Sequence, residues 1–238
     1  MFYVGKRWKA GLIAPALVIL AACGGGGDSG SNMPPPSKVF AADEVNGGVG
    51  STNNSNPAPG MTVAITRIIT GPATQIPIGP GCTGCLPSLA LDSGRDQLYV
   101  STSTSILVFN SAGTATGNIA PSRTVGGAGS GTGRHLQLNT ASDTLYVSMP
   151  TGSIVRIDSA STATSATTAA RTFTLAMNAG DFISDIALDA TNDVLYVGFD
   201  RNGAGTVGII LGVSTKGNVA VTLDAEITVA NTVAPSIT

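Results

Sequence analysis

Charge is what this chain has least of. Asp, Glu, Lys and Arg make up 11% of its 238 residues, against about a quarter in an average soluble domain. The net charge is -2 and the Lys and Arg residues cluster only at Lys6, Arg7 and Lys9, which excludes nucleic acid as a partner. There is one histidine, His135, and the glutamates are Glu44 and Glu226 alone. Catalytic sets that repeat His or Glu along the chain are therefore excluded. Aromatic residues are 5% of the total. Beyond the N-terminal apolar run, no long segment spaces its apolar residues for a helix, so a helical domain is excluded too. What polarity the chain has comes from Ser, Thr, Asn and the backbone of its 31 glycines.

The N-terminus reads as an address. Lys6, Arg7 and Lys9 precede a short apolar stretch from Leu12 to Leu20, the pattern of a targeting segment over residues 1–22. The stretch is too short to span a bilayer as a helix. The residues Leu20-Ala21-Ala22-Cys23 resemble the lipobox of bacterial lipoproteins. That resemblance implies cleavage before Cys23, lipidation of its sulfur, and an outer-membrane rather than inner-membrane location in the cell envelope. Loss of the leader would move the net charge from -2 to -5. Residues 23–60, rich in Gly, Ser, Pro and Asn, read as a disordered linker that cannot bury enough apolar surface to order itself.

From residue 61 onward a phrase returns three times. Leu89-Ala90-Leu91-Asp92 leads to Leu98-Tyr99-Val100, Leu136-Gln137-Leu138-Asn139 to Leu145-Tyr146-Val147, and Ile186-Ala187-Leu188-Asp189 to Leu195-Tyr196-Val197. The cores lie 47 and 50 residues apart, the period of one four-stranded propeller blade. Arg67, Arg123 and Arg171 each sit in a β-rich stretch read as a fourth strand. The fold class is thus all-β: a β-propeller of four-stranded antiparallel blades, about three of them present, with repeats near 88–127, 134–176 and 184–230. The final residues, Asn231 to Thr238, repeat the phrase from Gly117 to Thr124. The expectation is a C-terminally truncated ring, with an open array or closure by self-association as alternatives.

The units Leu98-Tyr99-Val100-Ser101, Ile154-Val155-Arg156-Ile157-Asp158 and Leu195-Tyr196-Val197-Gly198 resemble the NHL-type and YVTN-type repeats of bacterial surface and periplasmic propellers, in the wider gluconolactonase-like group. The resemblance covers roughly residues 61 to 238. It implies the propeller fold, and it leaves function open among binding platforms, sensors, lyases and lactonases.

Candidate chemistry is sparse. The pairs Asp92 and Asp96, Asn139 and Asp143, and Asp189 and Asp193 stand at the two ends of tight turns. Each copy offers two oxygen-bearing side chains, fewer than a Ca²⁺ site needs, so capping of turn N–H groups is their expected role. Cys82-Thr83-Gly84-Cys85 is followed by Leu86 rather than the His of a c-type haem site, and it lacks both a βαβ setting and a second zinc-ligand pair. A small disulfide between Cys82 and Cys85 is one reading, worth at most about 2 kcal/mol; free or intermolecularly paired thiols are the other. His135 alone does not make a catalytic set, and no motif calls for a cofactor or metal.

Three functions remain. The first is a membrane-anchored, non-enzymatic platform that binds protein or glycan. The second is a metal-dependent lactonase or lyase whose site lies in blades beyond these, and the third a structural protein of envelope or surface assembly.

Overall fold

The computed structural model describes residues 17–21, 39–43, 48–52, 64–76, 88–102, 104–126, 135–149, 152–178, 180–201, 204–217 and 219–229. Among them, strands dominate and the only helical piece is a single 3-10 turn over Pro72–Thr74. The chain divides into two compact units, residues 1–100 with 108–122, and residues 101–107 with 123–238.

The first sheet is built from β1 (Leu17–Ala21), β2 (Val39–Asp43), β3 (Gly48–Thr52) and β4 (Arg67–Thr70), all antiparallel in chain order. One expectation changes here: the segment read as a disordered linker contributes β2 and β3. β1 comes from the apolar stretch read as part of the leader. The reason is packing at close range. Phe40, Ala42 and Val49 are buried, and a Cβ on Gly50 would lie 2.5 Å from the Ile65 side chain. Small residues that read as linker are what lets these strands approach.

The second sheet has the order β5 (Leu89–Asp92), β6 (Gln97–Ser101), β7 (Ile106–Asn110) and β8 (Arg123–Val125). The third follows with β9 (Leu136–Asn139), β10 (Thr144–Ser148), β11 (Ser153–Asp158) and β12 (Arg171–Leu175). The fourth holds β13 (Phe182–Asp189), β14 (Val194–Arg201), β15 (Ala204–Leu211) and β17 (Ala225–Val229). Between β15 and β17 the chain leaves its own sheet, and β16 (Val219–Val221) pairs in parallel with β12 as a fifth strand of the third sheet. The blade count is therefore four, a correction to the expected three or so. The three repeats of the sequence are the second, third and fourth sheets, and the recurrent arginines open β4, β8 and β12.

The Leu-Tyr-Val phrase is apolar throughout because it fills β6, β10 and β14, the second strands of their sheets, covered on both faces in β6 and β10. Leu98, Tyr99, Val100, Leu145 and Val147 are fully buried. In the second unit the core lies between two sheets. Tyr146, Ile154 and Phe173 on one face of the third meet Leu195, Val197, Phe199 and Ile210 of the fourth. Burying each such side chain contributes about 1.5–3 kcal/mol.

Candidate functional site

The turn residues do one job in triplicate. Asp92 Oδ1 accepts the Arg95 N–H at 3.0 Å and its Oδ2 pairs with the Arg95 guanidinium at 2.7 Å. Asn139 Oδ1 accepts from the N–H groups of Ala141 and Ser142, and Asp189 Oδ1 from those of Thr191 and Asn192. Asn192 also donates its side-chain amide to Asp189 Oδ2 at 2.7 Å. These hydrogen bonds hold the Asp189 carboxyl below its ordinary range, the Asn192 amide being the largest cause.

The second acidic residue of each pair reaches further. Asp96, Asp143 and Asp193 all have left-handed backbones, with φ of 53°, 52° and 56°, a conformation Asp tolerates better than most residues. That twist turns each main-chain carbonyl toward the loop after the third strand, where it accepts the N–H of Ala112, Ala160 or Val213 at 3.0, 2.9 and 3.2 Å. The carboxylates take the next N–H along, from Gly113, Ser161 and Ser214. Ser161 and Ser214 add hydroxyl bonds to Asp143 and Asp193 at 2.6 and 2.7 Å. Each hairpin is thereby latched to a second loop of its own blade.

The receiving loops were not singled out from the sequence, yet they carry a signal. Ser111-Ala112-Gly113-Thr114, Ser159-Ala160-Ser161-Thr162 and Gly212-Val213-Ser214-Thr215 are variants of one phrase. The first residue of each is left-handed, and the Thr hydroxyl donates back to its carbonyl. The period of this phrase tracks that of Leu-Tyr-Val.

His135 begins β9's approach and Asp185 lies in β13, and the structure brings them together. His135 Nδ1 stands 3.4 Å from Asp185 Oδ1. The carboxylate also accepts the Ile186 N–H at 2.8 Å, while His135 is fixed by its N–H to Ser148 Oγ and its carbonyl to the Ser148 N–H, both 3.0 Å. Both side chains are about a quarter exposed. Sequence reasoning saw His135 but not its partner, 50 residues on in the next repeat.

The arginines serve different ends. Arg123 donates Nε to the Ala163 carbonyl and a terminal nitrogen to that of Ala160, both at 3.0 Å, fastening β8 to the third blade's loop. Arg171 donates to the Ala170 carbonyl. Arg156, on no sequence-derived roster, bonds Asp158 at 2.7 Å and the Ser214 carbonyl. A cavity of about 560 Å³ lies by the outer strands of the third and fourth sheets, where Leu175, Phe199, Leu223 and Glu226 are among its walls. None of the sequence-derived site residues lines it. Cys23, Cys82 and Cys85 lie outside the described residues. Among the described residues no three His, Cys, Asp or Glu side chains are grouped to hold a metal, and no helix is long and apolar enough to cross a membrane.

Repeated four-stranded antiparallel sheets, three of the four latched by the same Asp, define an all-β propeller fold. The solved structures this chain is similar to include a candidate 6-phosphogluconolactonase from Bacteroides uniformis and the WD40 β-propeller domain of Doa1. The first is 16% identical with a TM-score of 0.50, over 76% of this chain and 51% of that one. The second is 13% identical with a TM-score of 0.51, over 81% of this chain and 51% of that one. The chain thus spans about half the length of these propellers. No family profile and no curated protein matches it.

Proposed function

We propose that the chain is a propeller lipoprotein of the cell envelope, anchored through Cys23 and acting as a binding platform for protein or glycan. The observation that carries this reading is the triplicate latch. Asp96, Asp143 and Asp193 fix three loops in one geometry, and a surface ordered before its partner arrives loses less entropy on binding. The recurrent carboxylates are engaged in holding loops rather than turned to chemistry. The lipobox-like Leu20-Ala21-Ala22-Cys23 supports the anchor. On this reading β1 belongs to the precursor, and the mature first sheet is β2 to β4.

Anchoring is tested by feeding cells an alkyne-tagged fatty acid. The wild-type chain takes up label and Cys23→Ser does not; label on both, or on neither, removes the anchor. Binding is tested by capture from envelope extract on the wild-type chain and on Asp143→Ala. A protein or glycan retained by the first and released by the second is expected, and a column that retains nothing reproducibly ends the platform reading.

The His135–Asp185 pair supports a second reading, a hydrolase, in keeping with the candidate lactonase it resembles in fold. There His135 would act as general base. Lactone hydrolysis that disappears in His135→Ala would favour it.

A further inference from the structure

The cavity beside the third and fourth sheets takes its shape from one crossing. After β16 the chain leaves the third sheet and joins the fourth as β17, and Leu223 sits in that crossing. It lies over Gly208 of β15, where a Cβ would stand 2.7 Å from both Leu223 methyl groups and from the ring of Phe199. Only a residue with no side chain leaves this floor level. In the register of the fourth sheet Gly208 pairs with Val197 on one side and with Glu226 on the other. Paired residues share a face, so Glu226 stands on the face that Val197 buries against the third sheet. This chain has two glutamates, and one of them borders a cavity of about 560 Å³ whose floor holds Leu175, Phe199 and Leu223. Among the described walls Glu226 is the only ionisable residue.

The walls select a ligand by chemistry. Thr222 and Asn178 add neutral oxygens to the carboxylate. Asn178 is pinned through its main chain, its N–H on the Asp181 carboxylate at 2.9 Å and its carbonyl on the Asp181 N–H at 3.1 Å, which leaves the side-chain amide to the cavity. An ammonium carries three donors and no acceptor, and these walls offer it carboxylate, hydroxyl and amide oxygens. The two carboxylate oxygens have about four lone-pair directions, so a bond that Glu226 already makes leaves room for another. Anions are repelled by Glu226 and by the net charge of -2. A sugar would stack on an open aromatic face, and Phe199, the ring among the described walls, is fully buried. The aliphatic floor instead suits the methylenes of a long cationic side chain, which lie along apolar surface while the charge stays at a polar edge. The volume falls in the range of about 300–1,000 Å³ that holds a drug-sized ligand, room for a residue with part of its main chain rather than a bare amine. We infer that this cavity receives a lysine side chain of a partner protein, its ammonium on Glu226 and its methylenes on Leu223 and Leu175. The inference rests on the platform reading and names the chemistry that the platform grips.

The test is saturation-transfer NMR on the full chain, titrated with pure probes. Nα-acetyl-lysine amide is the first; Nα-acetyl-norleucine amide keeps the aliphatic chain without the ammonium, and n-butylammonium keeps the ammonium without the main chain. The lysine amide should bind tightest, with its methylene protons the most saturated. Glu226→Gln, at an exposed position that leaves folding intact, should weaken it about fivefold and leave the norleucine amide unchanged. Ala220→Phe, which fills the cavity from an exposed wall, should weaken both. Equal binding of the lysine and norleucine amides overturns the inference, and so does n-butylammonium binding as tightly as the lysine amide. A lysine preference that survives Glu226→Gln overturns it as well. Saturation of no probe does the same, while a partner captured from envelope extract would still uphold the platform. The lysine amide bound as expected with nothing captured from extract counts against the platform alone.

Discussion

The second and third blades are latched by the same aspartate in the same left-handed conformation, but not equally. Asp96 receives the Gly113 N–H alone from the loop's third position, whereas Asp143 receives both the N–H and the hydroxyl of Ser161. Asp193 and Ser214 repeat the fuller version. The backbone bond to the following loop is common to all three. The difference teaches that the twist of the aspartate does the positioning and the serine reinforces it, so a blade can lose the hydroxyl and keep the geometry.

Asp143→Ala should break the comparison most severely. It removes an ionised acceptor of two bonds and leaves alanine in the left-handed region, a cost of about 2–4 kcal/mol, read as a lower denaturant midpoint. Ser161→Ala should reduce the third blade's latch to the second's at about 1 kcal/mol; a loss as large as that of Asp143→Ala would show the hydroxyl, not the carboxylate, to be the organiser.

The first position of the hairpins sharpens the contrast through pH. The third blade has Asn139 there, which does not titrate, and the fourth has Asp189, whose carboxyl lies below its ordinary value of 3.8 because Asn192 and the turn N–H groups bind its charged form. Its contribution is present above that value and is lost as the pH falls through the lower, folded one. Asp189→Asn should therefore flatten the acid limb of the stability profile below pH 3.8. An unchanged acid limb would show that this turn does not contribute. Tyr146 works in the opposite direction. Burial raises its phenol above 10.0, so the stability it supplies is whole below that value and is lost as the pH climbs through the folded one. Tyr146→Phe should lessen alkaline unfolding. The smallest expected effect is a gain: Gly113→Ser offers Asp96 the missing hydroxyl, and about 0.5 kcal/mol of added stability would complete the comparison.

Three of the four sheets were legible because their second strands carry uninterrupted aliphatic and aromatic residues bounded by Asp and Asn turns. The first sheet was not. Phe40-Ala41-Ala42 and Gly48-Val49-Gly50 lack that pattern, and their burial depends on partners such as Ile65 and Ile69 that approach too closely for larger side chains. The first residue of each pair could be read locally, since its bonds reach only two or three residues, whereas Asp96, Asp143 and Asp193, expected to cap the same turns, bond a loop 17 to 21 residues on. Asp185 could not be joined to His135, because a pairing across 50 residues is decided by how inner strands of successive blades align.

The parallel strand β16 has a consequence for the order in which the protein is made. The partner it adds to, β12, ends at Leu175, yet Val219 to Val221 emerge only after β13, β14 and β15. As the chain leaves the ribosome, the edge of the third blade stays open while most of the next is synthesised. An exposed edge is a template for strands of other nascent chains. Translation speed between residues 175 and 221 thus sets how long each molecule is vulnerable. Slow codons in that interval should raise the insoluble fraction more than the same codons placed before β9.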